Sequence, residues 1–340
     1  MKTRPAVLTV VCTVLLASCG SAETTPSPGA SNTPKPECRP VVGVVPTTTT
    51  VTPTGGGSAH YSVGGGPTGL ILGADHNLWF SDTGGSRIGR LTFAGALTLW
   101  DLSGGRPGFL GGAPDGTIWA PKQATGWLAR ISPDGALSEC PLPSRLSTPF
   151  GVTVGPDGNV WVVEMDAGRV ARVAPSGTAA EFSVPEGGKP VYITTGPDGN
   201  LWFTEGGGGQ IGRVTTAGQI TIFPLPNSVG GQGAIAVGPD GALWFTEFTL
   251  GAIGRITTTG QIKEFPTGAG SKPNGIVAGP DGALWFAESG TNMIGRITVD
   301  GVITQRASVA GFPDQLVFTP DGSLWVTTFE AGDLVRIAKP

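Results

Sequence analysis

Charge, histidine and long apolar runs are all scarce in this chain, and each scarcity narrows what its 340 residues can do. Charged residues make up 14% of the sequence, and 21 Lys and Arg against 25 Asp and Glu leave a formal charge of −4. The basic residues are dispersed, so no stripe is present to neutralise a phosphate backbone, and nucleic acid is not an expected partner. With two histidines, His60 and His76, no Ser-His-Asp set is assignable. No glycine-rich loop follows a strand and opens a helix to cradle phosphate. The longest apolar stretch, Ala6 to Leu16, falls short of the roughly 20 residues that a spanning helix needs.

What is abundant is glycine (57) and proline (30), on a background that is still 39% hydrophobic. That combination describes a turn-rich β protein with a real core rather than a low-complexity chain. Lys2 and Arg4 precede the apolar stretch, giving residues 1–18 the form of a signal peptide. Leu16-Ala17-Ser18-Cys19-Gly20 resembles the lipobox of bacterial lipoproteins, which implies lipidation at Cys19 and an extracytoplasmic protein attached to the membrane through that anchor alone. Residues 19–57 are rich in Ser, Thr and Pro, including the tetrad Thr47 to Thr50, and read as a disordered stalk. In an oxidising compartment Cys38 and Cys140 are candidates for a disulfide between stalk and domain, or for two free thiols.

From residue 58 onward a unit of about 41 residues repeats. Trp79, Trp119, Trp161, Trp202, Trp244, Trp285 and Trp325 recur together with Arg90, Arg130, Arg172, Arg213, Arg255, Arg296 and Arg336. Each unit holds four short β-prone runs, as in Tyr192–Thr195, Leu201–Thr204, Ile211–Thr215 and Ile220–Phe223. Gly196-Pro197-Asp198-Gly199 turns the chain between the first two. Runs such as Leu243-Trp244-Phe245 are apolar on both faces, which requires cover on both sides. The expected fold is therefore an all-β, seven-bladed propeller of four-stranded antiparallel blades spanning 58–340. The last unit ends after its third strand, and His60-Tyr61-Ser62-Val63 is expected to supply the missing one, closing the ring through blade seven. Seven copies of Trp and Arg read as scaffold.

Chemistry should lie where the copies differ. On the face that carries the loops entering each first strand, Lys122, Phe150, Tyr192, Asn274 and Gln315 are candidate ligand-binding residues, with Asp314 beside them. Glu205, Glu247 and Glu288 recur three residues after the repeat Trp. They are expected at the channel mouth, either accepting structural hydrogen bonds or holding a cation such as Mg or Ca. The suggested ligand is a small molecule, peptide, glycan or protein, bound by a monomer.

Gly238-Pro-Asp-Gly-Ala-Leu-Trp-Phe-Thr-Glu247 followed by Ile253-Gly-Arg-Ile-Thr257 resembles the streptogramin B lyase family, also called virginiamycin B lyase. The resemblance covers about residues 58–340. It implies a seven-bladed propeller and a magnesium-assisted elimination that linearises a cyclic depsipeptide. It also implies a histidine after the loop proline in each of the last two blades, one contacting substrate and one acting as base, with glutamates near the latter holding the metal. In this chain those histidine positions are Asn274 and Asp314. The glutamate positions are Phe312 and the stretch Thr328 to Glu330. The resemblance thus carries the fold further than the activity. Two functions follow: a binding propeller, or an enzyme with Asp314 as the catalytic base, acting as a lyase or a lactone hydrolase.

Overall fold

The computed structural model describes residues 38–55, 58–227 and 230–340. The segments expected to be a signal peptide and a stalk, with Cys19, lie outside the described residues up to residue 37. Seven antiparallel sheets follow one another along the chain. In blade four the strands Pro190–Thr195, Leu201–Glu205, Gln210–Val214 and Ile220–Pro224 form a simple meander. The first strands of successive blades adjoin one another all the way round, so the ring is closed and its axis is lined by first strands.

Blade seven takes Pro313–Phe318, Leu324–Thr328 and Asp333–Ile337 from the C-terminus and Ser58–Ser62 from the N-terminus. Tyr61 pairs with Leu334 and packs on Trp325 at 5.0 Å between ring centroids. The reason for this closure is the edge problem: without the N-terminal strand, Asp333–Ile337 would present a row of unpaired backbone groups to solvent.

The repeat residues hold the blades. Tryptophans from the second strands are buried between sheets, and in blades one to five the partner arginine lies 5.5–5.9 Å from the tryptophan ring centroid. Fourth-strand phenylalanines complete three of the gaps, stacking Phe182 on Trp161, Phe223 on Trp202 and Phe265 on Trp244.

One boundary differs from the sequence reading. Residues 38–55 are not a stalk: Thr47–Thr50 adds a fifth strand outside Ala96–Asp101 of blade one, and Arg39–Pro40 does the same outside Leu137–Pro141 of blade two. A run of four threonines suits an extended edge because β-branched side chains favour strands. Thr48 also meets Thr98 across the ladder at 3.2 Å between hydroxyls. Cys38 and Cys140 are disulfide-bonded, pinning this segment to blade two.

Candidate functional site

The channel owes its shape to an irregularity repeated round the ring. In six blades the register slips just after the residue that opens the first strand, as between Pro190 and Ile193 or Pro313 and Leu316. Such a bulge re-aims the residues it contains, and here it presents them to the axis. Neighbouring first strands approach so closely at two points of this level that only glycine fits there. A Cβ on Gly108 would lie 2.1 Å from the Phe150 carbonyl oxygen, and one on Gly275 would lie 2.4 Å from that of Asp314.

Three residues break the glycine two places after the loop proline, and they fill the channel: Phe109, Tyr192 and Gln315. The Phe109 and Tyr192 rings stand 4.3 Å apart, and Gln315 Nε2 donates to Tyr192 Oη at 3.5 Å. Above this plug a cavity of about 500 Å³ opens to the loop face, with Phe109, Phe150, Tyr192, Phe248, Asn274 and Asp314 in its wall. Its polar groups form a directed chain. Gln315 donates to Tyr192, Tyr192 Oη donates to Asn274 Oδ1 at 3.4 Å, and Asn274 Nδ2 donates to Asp314 Oδ1 at 2.5 Å. Burial raises the Asp314 carboxyl to about 7, and burial followed by the Asp314 charge raises the Tyr192 phenol well above its ordinary value.

The structure thus brings Phe150, Tyr192, Asn274, Asp314 and Gln315 to one place. Lys122 is elsewhere: its side chain is buried inside blade two, where the ammonium pairs with Glu139 on the fourth strand. The residue after it, Gln123, is the one that reaches the mouth. Phe109, Phe248 and Gln123 were missed by the sequence reading. The substituted glycine at 109 was the available signal, whereas Phe248 and Gln123 follow the second strand in a loop with no repeated identity.

The glutamates do not ring the mouth. Glu205, Glu247 and Glu288 end second strands in three different blades, and each carboxylate is buried within its own blade. Glu205 lies against Gly188, where an added Cβ would come within 2.6 Å of its oxygens. Glu288 accepts from Thr291 Oγ1 at 3.0 Å and Gln305 Nε2 at 3.2 Å. Among the described residues no three His, Cys, Asp or Glu side chains gather closely enough to hold a metal ion. The positions that the resemblance assigns to metal ligands fit no better. Phe312 offers no donor atom, Thr328 spends its hydroxyl on the Asp333 carbonyl, and Glu330 is exposed and belongs to no group of three His, Cys, Asp or Glu among the described residues that could hold a metal ion. The residues present do not fit a divalent cation at this mouth. The carboxylates stay among groups of their own blades, Glu205 beside Gly188, Glu247 near Glu264 and Glu288 on Thr291 and Gln305, while the bulged first strands turn theirs to the axis.

Glu247 shows what this costs. Both its oxygens are buried without a hydrogen-bond partner, and burial, followed by the nearby Glu264 charge, raises its carboxyl from 4.5 to about 8. The folded state therefore holds a proton that the unfolded chain releases above about pH 4.5, so stability is full below that pH and declines as pH rises to about 8. Since one pKa unit is worth about 1.4 kcal/mol, Glu247→Gln, which mimics the protonated form, should stabilise the protein on the order of 2 kcal/mol at pH 8.5. It should change little at pH 4, and calorimetric melts at the two pH values check this.

The sequence matches the Virginiamycin B lyase family over residues 52–229 and 187–340. Among solved structures, a catalytically inactive His→Ala variant of virginiamycin B lyase from Staphylococcus aureus, crystallised with quinupristin, is 31% identical. It superposes with a TM-score of 0.77, covering 86% of this chain and 99% of that one. A streptogramin B lyase structure is also 31% identical, with a TM-score of 0.76 and coverage of 86% and 97%. Hydrazine synthase from Kuenenia stuttgartiensis, at 14% identity, a TM-score of 0.66 and coverage of 80% and 95%, shares the fold alone. No protein of curated function matches the sequence.

Proposed function

Because the chain belongs to the virginiamycin B lyase family, we propose that it is an extracytoplasmic propeller whose loop-face mouth binds a cyclic or peptide-like amphipathic ligand without opening it. The observation that carries this reading is the mouth itself. Aromatic rings of Phe109, Phe150 and Tyr192 form one wall, and the Asn274–Asp314 pair forms a polar point opposite a peptide-sized space. The positions where the resemblance places histidines hold an amide and a carboxylic acid, and nothing at the mouth fits the metal that would assist elimination. The signal-like N-terminus, the lipobox at Cys19 and a disulfide, which persists in oxidising compartments, support placement outside the cytoplasm on a lipid anchor.

Quinupristin, the compound crystallised with the Staphylococcus aureus relative, is the first ligand to try. Calorimetric titration should give saturable one-to-one binding. Phe150→Ala, which removes a ring from the wall, should weaken it by about tenfold. Absence of any binding heat, or an unchanged affinity in Phe150→Ala, contradicts the proposal.

One observation favours the enzymatic alternative: Asp314, raised to about 7 by burial, has the proton affinity of a general base working near neutral pH. On that reading Asp314 takes a proton from the carbon adjacent to the one that bears the ester oxygen, the alkyl C–O bond breaks as a C=C double bond forms, and the carboxylate leaves as the ring opens. Asp314→Asn would then abolish turnover while leaving binding within a few fold.

A further inference from the structure

The second strand of every blade but the last ends in a charged residue, and in the first three blades the chain itself supplies the opposite charge. In blade one Arg87 stands across the ladder from Asp82 and donates two N–H groups, at 2.8 and 2.5 Å, to the single oxygen Oδ2. Asp82 Oδ1 accepts the Gly66 and Gly85 amides at 3.0 and 2.8 Å. In blade two Lys122 pairs with Glu139. In blade three Arg169 stands across from Glu164, where its charge favours the carboxylate, and pairs with Glu181.

Blade four keeps the carboxylate and lacks the cation. The register that pairs Thr204 with Ile211 puts Gln210 where Arg87 and Arg169 stand, and Ile222 occupies the fourth-strand place of Glu139 and Glu181. Glu205 is 1% exposed, and neither of its oxygens accepts a hydrogen bond among the described residues. Oε1 is sealed from solvent, whereas Oε2 is not. A Cβ on Gly188 would lie 2.6 Å from Oε2 and one on Gly208 3.0 Å from it, so side chains at these two places would cover the oxygen and glycine leaves it open. Both glycines, with Glu205, Glu186 and Gln210, belong to the wall of one cavity of about 340 Å³ between the loops at 185–189 and 206–208. Lys189, in the same wall, is directed to Asp166 at 4.0 Å. Burial, followed by the Glu186 charge, raises the Glu205 carboxyl to about 7. A carboxylate so placed costs free energy unless a cation reaches it.

We propose that this cleft is a second binding site, taking an alkylguanidinium group from a ligand. The guanidinium stands where that of Arg87 stands in blade one and donates two N–H groups to Glu205 Oε2, with Glu186 contributing a second negative charge. A metal ion is not the occupant, because no third acidic, His or Cys side chain among the described residues joins the two glutamates. An ammonium suits the cleft less well, being more strongly hydrated and lacking the planar fork. The cleft shares no wall residue with the mouth cavity, so the proposal does not rest on what the mouth binds.

The test titrates nitrogen-15-labelled protein with ethylguanidinium at pH 8.5, where Glu205 is ionised, and reads the backbone amide shifts. Ethylammonium and the neutral planar analogue ethylurea are the controls. The Gly207 and Gly208 amides should shift saturably with ethylguanidinium, about threefold more weakly with ethylammonium, and not with ethylurea. Glu205→Gln keeps the shape and removes the charge, and should weaken ethylguanidinium about tenfold. Gln210→Arg restores to the third strand the guanidinium of blades one and three. It should fill the cleft and abolish the titration while the rest of the amide spectrum stays that of the wild type. The proposal is overturned by no saturable shift at Gly207 and Gly208, by shifts centred on Asn274 and Asp314 instead, by ethylammonium or ethylurea binding as tightly, or by undiminished binding in either variant.

Discussion

A chain begun at residue 64 should not yield a cooperatively melting monomer, whereas one begun at residue 58 should. The difference between the two is the strand Ser58–Ser62 with Val63, which contributes five register pairs to Asp333–Ile337 and buries Tyr61 and Val63 against Leu334 and Trp325. Burying two such side chains is worth about 3–5 kcal/mol by area alone. Losing the strand also exposes Asp333–Ile337 as an open edge that pairs with other molecules. Size-exclusion chromatography with a thermal melt separates the outcomes: a sharp monomer transition for the chain begun at 58, and aggregation or a broad transition for the one begun at 64. A sharp monomer melt for both would mean that blade seven is not held shut by the N-terminus.

Reducing the Cys38–Cys140 bond is the second large perturbation. The two residues are 102 apart in sequence, so the bond closes a long loop that runs through all of blade one. Cross-links of this kind stabilise by about 2–4 kcal/mol, chiefly by restricting the unfolded chain. For a domain of this size a loss of that order lowers the melting temperature by about 5–10 °C. Cys38→Ser should reproduce the effect of reductant, and reductant should then do nothing further to the variant. If Cys38→Ser melts with the wild type, the bond contributes nothing to the fold.

Much of this architecture was legible because it is written several times over. The Trp and Arg spacing, the turn Gly-Pro-Asp-Gly and the two-sided apolar strands each recur, and the missing last strand of blade seven pointed to residues 60–63. The rim strands at 39–40 and 47–50 were not legible. They have no repeat counterpart, and a Thr- and Pro-rich tract has the composition of a linker until an exposed sheet edge is available to it.

The site was read in part for a related reason. Phe150, Asn274 and Asp314 stand one place after a loop proline, and the bulge there sends such positions to the axis. Glu205, Glu247 and Glu288 were assigned to the mouth from their level along the strand, but level does not decide direction. Their side chains are buried among groups of their own blades. Lys122 fails for the same reason, and the Glu139 carboxylate that receives it sits two strands away in the blade, a pairing that no local pattern announces.

The central claim is that the mouth binds a depsipeptide-sized ligand and leaves it intact. The most direct measurement is to incubate the purified protein with quinupristin and Mg²⁺ and follow the compound by chromatography with tandem mass spectrometry. Elimination gives a linear isomer of unchanged mass and shifted retention, and hydrolysis adds the mass of one water. The ring should be recovered closed, at the level of a protein-free control, although the titration shows it bound. A linear product that accumulates with time and disappears in Asp314→Asn would contradict this and establish an enzyme.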